Sequence, residues 1–349
     1  MGTRAITDNE PADRIRELDD PEFFSYWSEL RHRIALGGKS VPPDVKREYA
    51  VVSAEYRRRI DSDPRAVNKG RDYQVDMSGR QSARRPAFTV DVTTPSPARI
   101  YDYYLGGKDN FPVDRAVAEQ ALSVVPEGRE LARANRQFLI RAVDYLASEG
   151  IDQFIDLGTG IPTSPSVHEV ARLVKGNTRV AYVDNDPQVV IHDRALLADD
   201  EGITVVPGDV RHPAEIAGNP SMHGVIDFSR PVGVLFVAVL HFVTDREDPW
   251  KSVAYFRDLM VPGSFLVLSH VTSDDGDPGA VGKIEEAYRS AAAPAVFRTA
   301  RQIEDFFDGF RLVPPGIVNV PEWHSAFADS APVPAVRLLG GVGKKEDIR

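Results

Sequence analysis

The sequence of 349 residues contains no cysteine, which excludes disulfide bonds, thiolate zinc sites and cysteine nucleophiles. It has no run of the ~18 apolar residues that a membrane-spanning helix needs, and residues 1–20 have no apolar signal core. The formal net charge is −10, and no basic domain offsets it, which argues against nucleic-acid binding. These absences predict a cytoplasmic globular protein whose partner is neither a membrane nor a nucleic acid.

Residues 1–60 predict a helical hairpin. Apolar side chains recur every three or four positions in two stretches on either side of Gly37-Gly38, a pair typical of a helix end. So small a hairpin buries too little surface to be stable alone, so we expect it to dock on the main domain or on another chain. Residues 61–94 lose the periodicity and have the composition of a disordered linker. We expect the main domain to comprise residues 95–349.

The central motif lies at residues 154–162, where an apolar strand ends in Asp156 and a turn follows with the sequence Gly158-Thr159-Gly160. Glycine lets the backbone approach a ligand where a Cβ would collide. A dinucleotide site would need a third glycine at Thr163, and Asp156 would repel a pyrophosphate. An acidic residue suits a ligand with a cationic amino group instead. The motif therefore predicts the first βα unit of a nucleotide-binding sheet.

Two further acidic residues follow the next predicted strands. Asp184, after strand 179–183, can accept hydrogen bonds from both ribose hydroxyls, and Asp209, after strand 203–206, can accept one from an adenine amino group. The carboxyl ends of parallel strands meet at one edge of an α/β sheet, which is where ligands bind. Together with Asp156, these residues predict a single nucleotide site.

Two histidines are placed at the same predicted edge. His241 follows a strand predicted at 232–239, and His270 follows one predicted at 264–269. Lone histidines are more often structural than catalytic, so both roles stay open. The other predicted elements are helices at 98–105, 127–148, 163–173, 248–260, 284–293 and 299–307, and a final antiparallel pair of strands at 310–313 and 335–339 before a glycine-rich tail.

A polar loop at 106–111 follows the helix at 98–105. It combines a glycine pair with lysine, aspartate and asparagine, more functional groups than a spacer needs. Its sequence favours a role at the ligand site. Tyr104 offers a flat face with a hydroxyl group, Asp109 can pair with an amino group, and Asn110 can form hydrogen bonds with a cofactor or with a second ligand beside it.

Residues 95–343 resemble an actinobacterial family of S-adenosylmethionine-dependent methyltransferases whose substrate is unassigned. The resemblance is carried by the stretches 95–111, 134–136, 156–163, 182–186 and 237–242. It implies an α/β fold of class I, with a seven-stranded, mostly parallel sheet, a reversed last strand and helices on both faces. It also implies the cofactor S-adenosyl-L-methionine and leaves the acceptor unidentified.

The cofactor-binding residues expected on this basis are Tyr104, Asp109, Asn110, Asp156, Gly158, Thr159, Gly160, Asp184, Asn185, Asp209, Val210 and Ala238. Methyl transfer depends chiefly on positioning, so no catalytic triad and no metal are expected. His241 is the candidate base if the acceptor, expected to be a small molecule, carries a hydroxyl or amine. A non-catalytic S-adenosylmethionine-binding module is the alternative, and a nicotinamide-dependent oxidoreductase is less favoured.

Overall fold

The computed structural model describes residues 90–197, 200, 202–274, 276–324 and 336–347. The predicted hairpin and most of the predicted linker lie outside these residues. The chain divides into two compact units, and the larger unit comprises Thr94–Arg194 and Asp200–Arg349. The sheet and the candidate site both belong to this larger unit.

One sheet organises the larger unit. Its strands are β1 (Gln153–Leu157), β2 (Arg179–Asp184), β3 (Ile203–Pro207), β4 (Gly233–Val237), β5 (Phe265–Thr272), β6 (Arg311–Leu312), β7 (Val318–Asn319) and β8 (Arg337–Lys344). The first five are parallel in the order β3-β2-β1-β4-β5, and β8 runs antiparallel beside β5. From β1 the chain adds β2 and β3 on one side and then returns to add β4 and β5 on the other. The carboxyl ends of β1 and β4 therefore border a ligand crevice.

The sheet has eight strands where the family resemblance implies seven, because two short strands, β6 and β7, both pair with β8. β8 also runs through the glycines predicted to form a tail. A Cβ on Gly340 would lie 2.9 Å from Cζ of Phe138, and one on Gly343 would lie 2.8 Å from Cβ of Phe310. Only glycine fits these positions, because neighbouring side chains occupy the space.

Helices pack on the sheet. They are α1 (Pro97–Leu105), α2 (Pro112–Val124), α3 (Gly128–Ser148), α4 (Val167–Val174), α5 (Pro187–Leu197), α6 (Pro213–Ala217), α7 (Pro220–Val225), α8 (Pro249–Leu259), α9 (Pro278–Ala287) and α10 (Ala300–Glu304). All five residues of β1 are buried, as expected for a parallel strand covered on both faces. None of the helices in the described ranges is long and apolar enough to cross a membrane.

Three predicted boundaries were wrong. α4 begins at Val167 rather than at 163, because Ser166 is its N-cap and forms a capping box with Glu169. α9 lies earlier than the predicted helix at 284–293 and gives way to a 3-10 turn at Tyr288. β5 continues to Thr272 because all eight of its residues pair with β8, so His270 lies inside the strand and not at its end.

Candidate active site

The glycine turn after β1 lies at the switch point of the sheet. Gly158 and Gly160 have φ angles of 71° and 69°, in the left-handed region that favours glycine. A Cβ on Gly158 would lie 2.4 Å from Cγ2 of Val239, so the turn packs directly against the segment that follows β4. A Cβ on Gly160 would meet nothing within 4 Å. The backbone at Gly160 therefore borders open space in which a ligand could lie.

Asp184 holds this turn from the end of β2. Its Oδ2 accepts a hydrogen bond from the Gly160 N–H at 2.9 Å, and its Oδ1 accepts one from the Asp186 N–H at 2.8 Å. Burial raises the pKa of Asp184 to about 7, although both backbone hydrogen bonds oppose the rise. A ligand that donates hydrogen bonds or carries positive charge here would stabilise the ionised carboxylate.

Two more buried carboxyl groups lie close to Asp184. Asp156 accepts a hydrogen bond from the Thr159 hydroxyl at 3.2 Å, and burial raises its pKa to about 6. Asp193 on α5 is 3% exposed, and its Oδ2 has no hydrogen-bond partner among the residues that the structure describes. Burial, followed by the charges of Asp184 and Asp156, raises the pKa of Asp193 well above its usual value. The sequence analysis did not single out Asp193. It lies four positions after the buried Val189, and this spacing places both residues on the same face of α5.

Arg136 on α3 holds the far side of the glycine turn. Its Nη2 donates hydrogen bonds to the carbonyl oxygens of Thr163 and Pro165. Its Nε is buried without a partner, and its charge lowers the pKa of Asp156 against the larger effect of burial. The sequence marked Arg136 through the family resemblance but gave it no role.

Asn185, Asp209 and Val210 lie at the rim of the crevice. Asn185 is exposed and donates from Nδ2 to Oδ2 of Asp209 at 3.3 Å. The Nε of Arg211 lies 2.9 Å and 3.0 Å from the two carboxylate oxygens of Asp209. Burial would raise the pKa of Asp209, but the hydrogen bonds from Arg211 outweigh it and the pKa is lowered. The Val210 carbonyl accepts a hydrogen bond from the Ser252 hydroxyl at 2.5 Å.

Ala238, directly after β4, has a φ angle of 56°, which is rare for a residue other than glycine. Its N–H donates to Oγ of Ser269 at 3.0 Å, and that hydroxyl donates to Oδ1 of Asn135 at 2.7 Å. Nδ2 of Asn135 in turn donates to the Tyr101 hydroxyl at 3.0 Å. A strained backbone held by a buried network is typical of a functional site.

The loop at 106–111 is organised by Asp102. Oδ2 of Asp102 accepts hydrogen bonds from the Asp109 N–H at 2.9 Å and from Nδ2 of Asn110 at 2.8 Å. Asn110 is buried and its Nδ2 donates to Asp102 and to the Gly107 carbonyl inside the loop, and its contact with a ligand stays a prediction. Asp109 has an exposed side chain, and its carbonyl oxygen accepts a hydrogen bond from Nε2 of Gln188 at 2.9 Å.

A buried network joins α1 to the residues that follow β2. The Ser96 hydroxyl donates to Oδ2 of Asp186, and the Ser96 N–H donates to Oδ1 of Asp114 at 2.8 Å. Nε of Arg99 donates to Oδ2 of Asp114 at 2.8 Å, and its Nη1 lies 3.7 Å from Oδ2 of Asp186. These contacts fix the first helical segment against the carboxyl edge of the sheet.

His241 lies in the first turn after β4, as predicted, and is 7% exposed. Its Nδ1 is buried without a hydrogen-bond partner. Burial, with smaller contributions from His270 and Arg298, lowers its pKa well below the usual value. The imidazole is therefore neutral at pH 7, which is the form that can accept a proton.

Arg298, missed from the sequence, fixes the segment that carries His241. It is 1% exposed and donates to the carbonyl oxygens of Leu240 at 3.0 Å and Val243 at 2.8 Å. Its Nη1 also lies 2.8 Å from Nε2 of His270, whose pKa burial lowers to about 3. His270 is thus a buried hydrogen-bond acceptor. No group of His, Asp and Glu in the described ranges could hold a metal ion.

Residues 83–346 match the family model described as S-adenosyl methyltransferase. The chain belongs to this family. The methyltransferase is 38% identical to a DUF574 family protein from Streptomyces avermitilis, over 74% of this chain and 100% of that one, with a TM-score of 0.70. It is 39% identical to a candidate methyltransferase from Thermobifida fusca, over 75% of this chain and 98% of that one, with a TM-score of 0.67. A comparison with curated proteins found no match.

The family assignment confirms the predicted enzyme class, the class I fold and the cofactor S-adenosylmethionine, and it sets aside the nicotinamide alternative. The crevice suits this cofactor. Gly160 borders open space, and the buried Asp156 and Asp184 would be stabilised in their ionised forms by an amino-bearing ligand.

Proposed function

We propose that this methyltransferase transfers a methyl group from S-adenosylmethionine to a small-molecule acceptor in the crevice between β1 and β4. The observation that carries the proposal is the position of Asp156 and Asp184, which are buried at the carboxyl ends of adjacent strands and flank the open backbone of Gly160. This arrangement offers one carboxylate to an amino group and another to a ribose.

The cofactor supplies an electrophilic methyl group bound to a sulfonium. In our proposal Asp184 and Asn185 hold the ribose, Asp209 and Val210 hold the adenine, and the backbone of residues 158–160 lies against the rest of the cofactor. Asp156 and the exposed Asp109 face its amino group. His241, in the turn after β4, accepts a proton from the acceptor where the acceptor carries one, although its lowered pKa makes it a weak base.

A small acceptor is supported by the cover over this edge of the sheet. Helices α1, α2 and α9 share an apolar core that includes Ile100, Val117 and Ile284. Ser96 ties α1 to Asp186 beside the site. A covered crevice in a protein of net charge −10 suits a small molecule better than a nucleic acid.

Calorimetric titration tests the cofactor site. We expect S-adenosylmethionine and its demethylated product, S-adenosylhomocysteine, to bind, and we expect NAD not to bind. Binding of NAD alone would contradict the proposal.

The variant Asp184→Asn tests the ribose contact. An amide cannot accept from both backbone N–H groups and also serve the ribose, so affinity should fall by about 1–3 kcal/mol, or roughly 5–150-fold. Asp200→Asn is the matched control, because Asp200 bonds Arg172 away from the carboxyl ends of the strands. Equal cofactor affinity in the two variants, with both folded by thermal melting, would contradict the assignment of Asp184.

A further inference from the structure

Four aromatic side chains, Tyr104, His241, Phe242 and Tyr288, form a continuous surface that we call the aromatic wall. The ring centroids of His241 and Phe242 are 4.4 Å apart, and those of Phe242 and Tyr288 are 5.8 Å apart. The hydroxyl oxygens of Tyr104 and Tyr288 lie 3.2 Å apart. Because His241 and Phe242 follow β4 directly, the wall begins at the switch point where the ligand crevice lies.

Tyr288 belongs to the apolar core shared by α1, α2 and α9, and Tyr104 and Phe242 pack against that core, so the exposed parts of Tyr104 and Phe242 are what the wall offers to a ligand. Tyr288 and His241 are buried, whereas Tyr104 and Phe242 are only half-buried. The planes of Phe242 and Tyr288 are 33° apart, so the two rings share a rough common orientation. Aromatic rings gain energy from offset stacking and edge contacts with another ring, beyond the burial of area. A planar ligand would use this surface better than a flexible chain.

The two tyrosine hydroxyls leave one proton free. Only one of them can donate across the 3.2 Å contact, and no second partner of either hydroxyl is found among the described residues. Tyr288 is the more buried of the two tyrosines, so an O–H without an acceptor would cost more free energy on Tyr288 than on Tyr104. Tyr288 therefore donates to Tyr104, and the Tyr104 O–H is left to donate to a ligand.

The charges around the wall favour an uncharged ligand. The charge of Arg298 lowers the pKa of His241. The charge of Arg129 lowers the pKa of Tyr104, and the charge of Glu119 raises it. Glu119 is the one carboxylate among the groups that shift these two pKa values. It is already paired, because Nη2 of Arg129 lies 3.1 Å from its Oε1. Nη2 of Arg298 likewise lies 2.6 Å from Oδ1 of Asp245, so each of these charges already has a partner and is not left for a charged ligand of either sign.

We propose that the methyl acceptor is a planar, uncharged aromatic molecule, bound against the aromatic wall with an oxygen or nitrogen substituent that accepts a hydrogen bond from Tyr104. This inference rests on the proposed function and deepens it. It moves Tyr104 from the cofactor, where the sequence placed it, to the acceptor.

The test compares two probes on the full-length protein saturated with S-adenosylhomocysteine. The probes are 2-naphthol, which is aromatic, and decahydro-2-naphthol, which has the same carbon skeleton and hydroxyl but no aromatic ring. Calorimetry and ligand-observed NMR measure their binding. We expect 2-naphthol to bind about tenfold more tightly, since two rings of the wall each contribute an aromatic contact. Equal affinity, or binding of neither probe, would overturn the inference.

Two variants locate the probe. Tyr104→Phe keeps the ring and removes the hydroxyl, and should weaken 2-naphthol by about 2–10-fold, the effect of one neutral hydrogen bond. Phe242→Leu removes a ring and should weaken it to a similar extent. The matched control is Tyr103→Phe, because the Tyr103 hydroxyl bonds Glu119 instead. Equal effects of the Tyr103 and Tyr104 variants would contradict the placement.

The affinity for S-adenosylhomocysteine separates the two proposals. We expect it to be unchanged in all three variants, which also shows that they fold. A fall in this affinity on Tyr104→Phe alone would return Tyr104 to the cofactor and overturn the inference. Failure of the unaltered protein to bind S-adenosylhomocysteine would contradict the proposed function itself. If a variant does not fold, the comparison of the two probes on the unaltered protein still decides.

Discussion

At the scale of single residues, the site is dominated by carboxyl groups whose pKa values are raised by burial. An ordinary Asp ionises near pH 4 in an unfolded chain, whereas the pKa of Asp156 is raised to about 6 and that of Asp184 to about 7. Between about pH 4 and these raised pKa values, the folded state binds more protons than the unfolded state. The contribution of these groups to the free energy of unfolding is therefore full below about pH 4 and is lost as the pH rises through 6 to 7.

This protonation predicts that cofactor binding releases protons. A cationic amino group beside Asp156 favours the ionised carboxylate, so S-adenosylhomocysteine should displace protons near pH 6 and few at pH 8. Titration in two buffers with different ionisation enthalpies measures the released fraction. Asp156→Asn should reduce the release at pH 6. A binding enthalpy independent of the buffer at pH 6 would contradict the prediction.

The residues that sequence reasoning found and missed differ in how local their signals are. The positions of Asp156, Asp184 and Asp209 at the carboxyl edge of the sheet could be predicted because each lies at or within two residues of the end of a strand with a clear apolar pattern. The bond between Ser269 and Asn135 could not, since its partners are 134 positions apart. Arg298 likewise meets Leu240 from 58 positions away. Such partners meet only in the tertiary fold, and local patterns in the sequence do not reveal them.

At the scale of elements, α3 and the five parallel strands could be predicted because their periodicity and their glycine or acidic ends are local. The C-terminal part of the sheet was predicted only in part: the strand expected at 310–313 contains β6, and the one expected at 335–339 overlaps β8. The glycines at 340, 341 and 343 resemble a tail in isolation, and only the close approach of neighbouring side chains makes them strand positions. β6 pairs with residues 343–344, beyond the strand expected at 335–339, and β7 was missed because its two residues are too few for a strand pattern.

The network at Asp186 makes a prediction about α1. Asp186→Ala removes the acceptor for the Ser96 hydroxyl and a charge beside Arg99, so we expect a loss of about 1.5–3 kcal/mol in the free energy of unfolding. Hydrogen exchange should accelerate in residues 97–111, because α1 loses its tie to the sheet edge. Cofactor should protect the same residues in the unaltered protein.

The control for this prediction is Asp227→Ala. Among the described residues, the hydrogen bonds to the carboxylate of Asp227 come from its near neighbour Ser229, and Asp227 precedes β4, at the amino edge of the sheet. It should leave exchange in residues 97–111 unchanged. Equal exchange in residues 97–111 of the Asp186 variant and the control would show that the Ser96 and Arg99 contacts do not hold α1.

At the scale of the whole molecule, the described structure concentrates the site in one unit. The larger unit begins at Thr94, and the family match begins at residue 83. All the residues proposed to bind cofactor or acceptor lie after Thr94, as do the helices that cover the edge of the sheet. We therefore expect cofactor binding not to require residues 1–82.

Removal of the N-terminal residues tests this division. We expect a protein that begins at residue 83 to fold and to bind S-adenosylhomocysteine within about twofold of the full-length protein, because the sheet, α1 to α3 and the Ser96–Asp186 contact are retained. A second protein beginning at Thr94 should behave alike, since the larger unit starts there. Calorimetry and thermal melting compare the three. If both shortened proteins are insoluble while the full-length protein is not, the apolar faces of residues 21–60 must cover part of the methyltransferase domain. If only the protein beginning at Thr94 fails, residues 83–93 belong to that domain, and the boundary predicted at 95 lies too late.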